Sequence, residues 1–349
     1  MHVECHRAVM TSQGVSSRNG IYFPDAWSGG LIPVDQVTDE DLARIKRENP
    51  PQSVRLMSAG MEAEKALVYR AGDELFFHGE VRTTKGPAVM AESWMAPVLL
   101  MTEMSTLFYH AACVDPQMDD VIDTENHRLL ETLERDFAGL DCTAWVYELK
   151  RPEQPYTDRG PHPYGVGVDR FVKWSDLADS EQAYLRQQLR LHWLNVLNPH
   201  LFGINGFMGG PSGARWIASV GHVLTPWGYT IDTQFGLIRD EVAGKLVLHN
   251  GVSAEGYFPG VDMEIVDQTL PGGRFALDGG IGIWLQPRDL RHDSCLRRPG
   301  GRLHTRVSRR AFAHIDMWGQ MSLKSEGWVM GEVELGPGWA GSMGITGHL

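Results

Sequence analysis

From Arg215 onward the chain breaks into about eight extended segments: RWIASVGHVL, YTIDTQFGLIR, AGKLVLHNGV, GVDMEIVDQTL, GRFALDGGIGIWLQP, LHTRVSRRAFAHIDMW, EGWVMGEVELG and WAGSMGITGHL. The turns between them hold Gly, Asp and Pro, and LPGGR reads as a compact hairpin turn. Successive hairpins of this length constrain the second half of the chain to an antiparallel meander that closes into a barrel or forms a strongly twisted sheet. In the fifth segment Phe275, Leu277, Ile281, Ile283 and Leu285 share one face, and Asp278 and Gln286 the other. In the sixth, Val307, Ala311, Ala313, Ile315 and Met317 oppose Arg306, Arg310, His314 and Asp316. Gly279, Gly280 and Gly282 allow bends or bulges.

The first half has a different texture. From Glu92 to Val114 it reads ESWMAPVLLMTEMSTLFYHAACV, an apolar run whose acidic and imidazole side chains after Glu92 are Glu103 and His110. At 100° per residue these three fall within about 20° of one another, so one polar line runs down an apolar rod. Its apolar span, Trp94 to Tyr109, is shorter than the roughly 20 residues of a membrane helix and carries Glu103 at its middle, so a core helix is expected. A second long helix is expected over DLADSEQAYLRQQLRLHWLNVLNPH, capped by Ser175, with Gln188, His192 and Asn195 recurring on one line. Two apolar helices that each carry a polar line are the pattern expected if they face one another.

Around these, residues 1–35 read as an extended arm that docks the aromatics of IYFPDAW on the body. Thr38 caps a helix over DEDLARIKRE that Pro50-Pro51 stops. A short helix at Met61–Tyr69, a turn at Ala71-Gly72-Asp73 and strands at ELFFHGEVRT and CTAWVYELK complete the picture. The glycine-rich GINGFMGGPSG marks a boundary, which divides the chain into an arm (1–35), a mainly helical region (36–203) and a β-barrel-like region (204–349). The fold class is α+β: a mainly helical N-terminal half, then an antiparallel β meander.

With 42% hydrophobic and 22% charged residues the chain has the composition of a folded protein, and its formal charge of −12 argues against nucleic acid as a partner. The acidity is concentrated early: residues 1–200 hold 30 Asp and Glu against 19 Lys and Arg. Cys5, Cys113, Cys142 and Cys295 form no CxxC pair and read as free thiols. No export signal is evident in MHVECHRAVMTSQGVSS, so a cytoplasmic location is expected. Long strands with one apolar face and scattered tryptophans are also the pattern of an outer-membrane-type barrel with a helical plug. That is the membrane alternative.

There is no HExxH, P-loop, dinucleotide fingerprint or EF-hand, and G-P-S-G-A around Ser212 lacks the last glycine of a nucleophile elbow. What remains is a constellation: Glu103 and His110 on the first apolar helix, His192 on the second, and His222 in the first β segment. These four could ligate Zn, Fe or Mn, with Gln188 and Asn195 orienting the rings, and so support metal-dependent hydrolysis or oxygenation. Without a metal, Glu103 and His110 would act as an acid–base pair for a lyase or isomerase, burial raising the Glu103 pKa toward neutrality. The expected substrate is a small, fairly apolar molecule. The competing reading is a non-catalytic protein whose β half encloses a lipid-like ligand.

Overall fold

A computed structural model describes residues 2–20, 33–79, 81–85, 88–91, 94–209, 213–254, 256–270, 275–287, 290, 297–312, 315–330 and 335–347. The helical half comprises α1 (His2–Ser12), α2 (Asp39–Glu48), α3 (Pro50–Phe77), α4 (Met95–Ala112), α5 (Met118–Arg128), α6 (Asp141–Lys150) and α7 (Asp179–His192). Two-residue strands β1 (Arg18–Asn19) and β2 (Val34–Asp35) pair antiparallel beside α1. Two 3-10 turns, Trp193–Leu197 and Pro199–Phe202, lead out of α7.

The organising element is α3. Pro50 and Pro51 do end α2, but they also start the next helix, because a first-turn proline gives up no intrahelical hydrogen bond. Residues 50 to 63 are all buried, so this helix is surrounded by protein rather than amphipathic. The turn expected at Ala71-Gly72-Asp73 is instead helix interior: a Cβ on Gly72 would lie 2.7 Å from the His200 ring, so this glycine serves close packing rather than chain reversal. The strand expected from Glu74 onward starts only at Val81, after α3 has run to Phe77.

Two further expectations change. The 1–35 arm begins as helix α1, which packs on α3, and IYFPDAW lies outside the described residues. CTAWVYELK is α6, not a strand; residues Asp141 to Leu149 are all buried, and an element enclosed on every side shows no helical period in its hydrophobicity. Cys113 and Cys142 are joined in a disulfide across 29 residues, where free thiols were expected.

The β half is as the segments imply. Strands β5 (Ile204–Gly209), β6 (Ala214–Thr225), β7 (Gly228–Arg239), β8 (Val242–Ser253), β9 (Gly256–Thr269), β10 (Ala276–Pro287), β11 (Arg297–Phe312), β12 (Ile315–Lys324) and β13 (Gly338–Gly347) pair antiparallel in sequence order. The helical half adds β3 (Val81–Lys85) and β4 (Ala88–Ala91) beyond β5, giving 11 strands. Among the described residues β3 and β13 are edges that pair with no further strand, so the sheet is open and twisted rather than a closed barrel. LHTRVSRRAFAHIDMW is a hairpin, β11 returning as β12 with Phe312 opposite Ile315; no Gly, Pro or Asn marks that reversal. EGWVMGEVELG forms no strand among its described residues. The register shifts between Leu277 and Gly279, at the first of the strand glycines.

The two faces of the sheet are inverted relative to the common pattern. Ile281, Leu303 and Leu323 form one cross-strand row with Met263 and Leu246, and Ile281, Leu303, Leu323 and Met263 are exposed. The alternate residues, Asp232, Gln234, His249, Asp262 and Gln286 among them, face α3 and the segment after β12. No helix among the described residues is long and apolar enough to cross a membrane.

Candidate functional site

The polar lines of α4 and α7 do meet. His192 Nε2 stands 3.3 Å from Glu103 Oε1, and the His110 and His192 rings lie 4.4 Å apart between centroids. A partner absent from the sequence reading completes the pair: Lys65, from the middle of α3, places Nζ 3.1 Å from Glu103 Oε2. Burial by itself would raise the Glu103 pKa, but His192 and the Lys65 ammonium outweigh it and hold the carboxyl down at about 2. This reverses the expectation of a Glu103 poised near neutrality. Glu103 is a permanent anion that anchors Lys65, and burial pushes the Lys65 pKa below its usual 10.5.

His110 and His222 beside it are neutral. Burial, then the neighbouring His192, holds His110 well below 6.5, and the same causes act on His222. His110 Nε2 approaches Met61 Sδ at 2.7 Å. His222 Nε2 donates to Gln188 Oε1 at 2.9 Å. Asn195 acts on the backbone of β6: its Nδ2 donates to His222 O at 3.2 Å and its Oδ1 accepts from His222 N, replacing a strand partner that β5 is too short to supply. Gln188 therefore holds the His222 ring and Asn195 its backbone, in a packed cluster. The space within it is about 10 Å3, room for about one water. Among the described residues, the group of metal-type side chains whose ligand atoms converge is a different one, His2, His6 and Asp141. Ser212 lies outside the described residues.

A larger space lies farther along the same face of α3. One turn after Lys65, Tyr69 reaches the polar face of the sheet and borders a cavity of about 140 Å3. Gly221 on β6 makes this approach feasible, since a Cβ there would lie 2.0 Å from the Tyr69 hydroxyl. Opposite stands a triad built by strand register: Asp232 on β7 is directly across from His249 on β8, and Asp262 on β9 is one diagonal away. His249 Nδ1 bonds Asp232 Oδ1 and Nε2 bonds Asp262 Oδ2, each at 2.9 Å. Burial opposes charge on this ring, yet the two carboxylates hold its pKa at about 10, so it is an imidazolium with both N–H groups committed. Phe258, Trp284 and Trp328 supply flat apolar walls, and Trp328 Nε1 donates to Glu62 Oε2 at 3.1 Å, which ties the covering segment to α3.

Several buried polar atoms at this cavity find no hydrogen bond among the described residues: Asp232 Oδ2, Asp262 Oδ1, Thr230 Oγ1 and Trp284 Nε1. Buried polar groups are rarely left so, and a ligand or ordered water would complete them. Burial, with the Asp232 charge behind it, raises the Tyr69 pKa well above 10, so the hydroxyl keeps its proton. Sequence reasoning missed Lys65, Tyr69, Asp232, His249 and Asp262. The period-2 signal was present, as Thr230, Asp232 and Gln234 alternate along β7. It went unused because a polar strand face reads by default as the solvated one.

The chain matches no protein-family model, no curated protein and no solved structure in the comparisons made with them.

Proposed function

We propose that the protein is an enzyme that uses acid–base chemistry on a small, uncharged molecule with a flat apolar face, bound between α3 and the polar face of the sheet. The cavity carries this reading: it has aromatic walls, protonated Tyr69, and carboxylate oxygens of Asp232 and Asp262 with unused acceptor capacity. Its ionic lining balances, Asp232, Asp262 and Glu264 against Lys245, His249 and Arg302, so a neutral ligand leaves no net charge uncompensated. Trp284 and Phe258 would take the flat face of the ligand, and the free oxygen of Asp232 or Asp262 would accept a proton. Tyr69 would donate to developing negative charge on an oxygen. Addition or loss of water and isomerisation fit these roles, which extends the lyase or isomerase expectation while moving the substrate-facing groups away from Glu103 and His110. Behind the cavity, Glu103 and His192 position Lys65, whose Nζ lies 4.7 Å from the Tyr69 ring centre.

The test is untargeted metabolite profiling, with the purified protein incubated in a small-molecule extract without added nucleotide. The expected result is depletion of one compound and gain of an isomer or of a product differing by water, lost in Tyr69→Phe and Asp262→Asn. Turnover that survives in both variants would overturn the assignment.

A second reading, a membrane-facing protein, is favoured by one observation, that the apolar sheet face is outward and the polar face inward, while the open edges at β3 and β13 among the described residues count against the closed outer-membrane barrel. Monodisperse behaviour without detergent would count against it. As to compartment, the Cys113–Cys142 disulfide favours an oxidising one over the cytoplasm.

A further inference from the structure

The first helix brings a set of donors to one point outside the cavity described above. His2 and His6 are four residues apart on α1, so their rings project from one face and lie 5.1 Å apart between centroids. Asp141, the first residue of α6, meets both: its Oδ2 is 2.8 Å from His2 Nε2 and 3.2 Å from His6 Nε2. Two ligands on one ion at about 2.1 Å each are separated by roughly 3.0–3.4 Å in octahedral or tetrahedral geometry, so both ring nitrogens already stand near ligand spacing from the carboxylate oxygen, and the three atoms lie within 4.8 Å of one another.

The outer nitrogens are committed. His6 Nδ1 donates to the carbonyl of Leu56 at 2.6 Å, and His2 Nδ1 donates to Glu64 Oε1 at 3.1 Å. Glu64 is itself held by the Thr106 hydroxyl at 2.7 Å. With its Nδ1 so committed, each imidazole points Nε2 inward, the arrangement by which carbonyl and carboxylate partners orient metal-bound histidines. His6 Nε2 is buried and has no hydrogen-bond partner. Without an ion, His2 Nε2 donates a proton to Asp141 Oδ2 at 2.8 Å, and a divalent ion would take the place of that proton. The cradle is also shaped for the ring: a Cβ on Gly60 of α3 would lie 2.2 Å from His2 Nε2.

We infer that His2, His6 and Asp141 form a binding site for a divalent transition ion of the Zn or Fe class, which staples α1 to α3 and α6. Two neutral imidazoles and one carboxylate are the donors such ions take, and one or more positions remain open to water. The site is separate from the Glu103 cluster and from the cavity, and it stands whether or not the cavity turns over a substrate.

The full chain, purified without an N-terminal extension and stripped with a chelator, is titrated with Co2+, which reports coordination by its visible absorption. One equivalent should bind, raise the unfolding midpoint by several degrees and be displaced by Zn2+. His6→Gln and Asp141→Asn should each weaken binding by at least tenfold, and Glu64→Gln by about tenfold through loss of ring orientation. His2→Asn, at the partly exposed position, gives the same reading should the buried variants fail to fold. The double variant His110→Ala/His192→Ala should bind Co2+ unchanged. Absence of saturable binding, or binding that survives both His2→Asn and His6→Gln, would overturn the inference.

Discussion

Glu103→Gln removes the charge that holds Lys65 and His192. Lys65 and Glu103 are almost wholly buried and 3.1 Å apart, and a pair at that distance interacts by about 5 kcal/mol at an effective dielectric of about 20. The titration of Glu103 offers an independent measure. Its pKa falls from 4.5 to about 2 in the folded protein, and each unit is worth about 1.4 kcal/mol, which gives about 3 kcal/mol. Because the folded pKa is depressed, that stability is fully present above pH 4.5 and is lost as the pH falls toward 2. Glu103→Gln at neutral pH should therefore cost about 3–5 kcal/mol, since it leaves a buried ammonium uncompensated. Adding Lys65→Met should restore most of the loss. Urea denaturation of the four proteins of this cycle, repeated from pH 7 to 3, measures both effects. A Glu103→Gln cost below about 1 kcal/mol with an unchanged acid limb would refute the buried-anchor account of Glu103, as would strict additivity of the two substitutions.

His249 titrates in the opposite sense. Its pKa is raised from 6.5 to about 10, so its contribution is fully present below pH 6.5 and is lost as pH climbs through 10. The unfolding free energy from urea denaturation between pH 6.5 and 10 should fall for the wild type and fall less for Asp232→Asn, by about 2 kcal/mol after allowance for the part-exposed ring. Reduction of Cys113–Cys142 should cost about 3.5 kcal/mol, the loop-closure value for its 29-residue separation, read from denaturation with and without a thiol reductant. Gly221→Ala should displace Tyr69 and abolish turnover in the profiling assay while the far-ultraviolet circular dichroism is retained, because the added methyl occupies the place of the hydroxyl.

The parts of this architecture that were legible are those with a period of their own. Eight segments alternating every second residue specify antiparallel hairpins, and seven of them coincide with described strands, one of these being the β11–β12 hairpin. The facing of α4 and α7 followed from two polar lines, because a charge on an apolar rod needs a partner and both rods had one. What was hidden was whatever is enclosed on all sides. Along the buried first half of α3 and all of α6 the hydrophobicity has no direction, so α3 was cut at Gly72 and α6 was read as a strand. Lys65 was invisible for the same reason: a lysine in a helix is taken for a solvated residue until the tertiary fold surrounds it. The three strands that assemble Asp232, His249 and Asp262 are legible, but their register, which alone makes the triad, is set by pairing and not by any one segment.

Adjacent residues on β10 decide which face of the sheet is the interior. Ile283 is 53% exposed, so Ile283→Lys forfeits about half of a side-chain burial term, about 1 kcal/mol, and the lysine stem recovers part of that by lying along its apolar neighbours. Gly282 points the other way. A Cβ there would fall 1.9 Å from Asp262 Oδ1, so Gly282→Leu must drive Asp262 off His249 and break a buried charge network, at about 3 kcal/mol or more. Were the apolar face the true core and the polar face solvated, the ranking would reverse: Ile283→Lys would bury an unpaired ammonium, and Gly282→Leu would be nearly neutral. Chemical denaturation of the two variants separates the cases by several kcal/mol. The outcome bears on chemistry as well as topology, because a polar face turned to solvent would surround Asp232, His249 and Asp262 with water, and neither the imidazolium clamp nor the unfilled carboxylate oxygens would then call for a ligand.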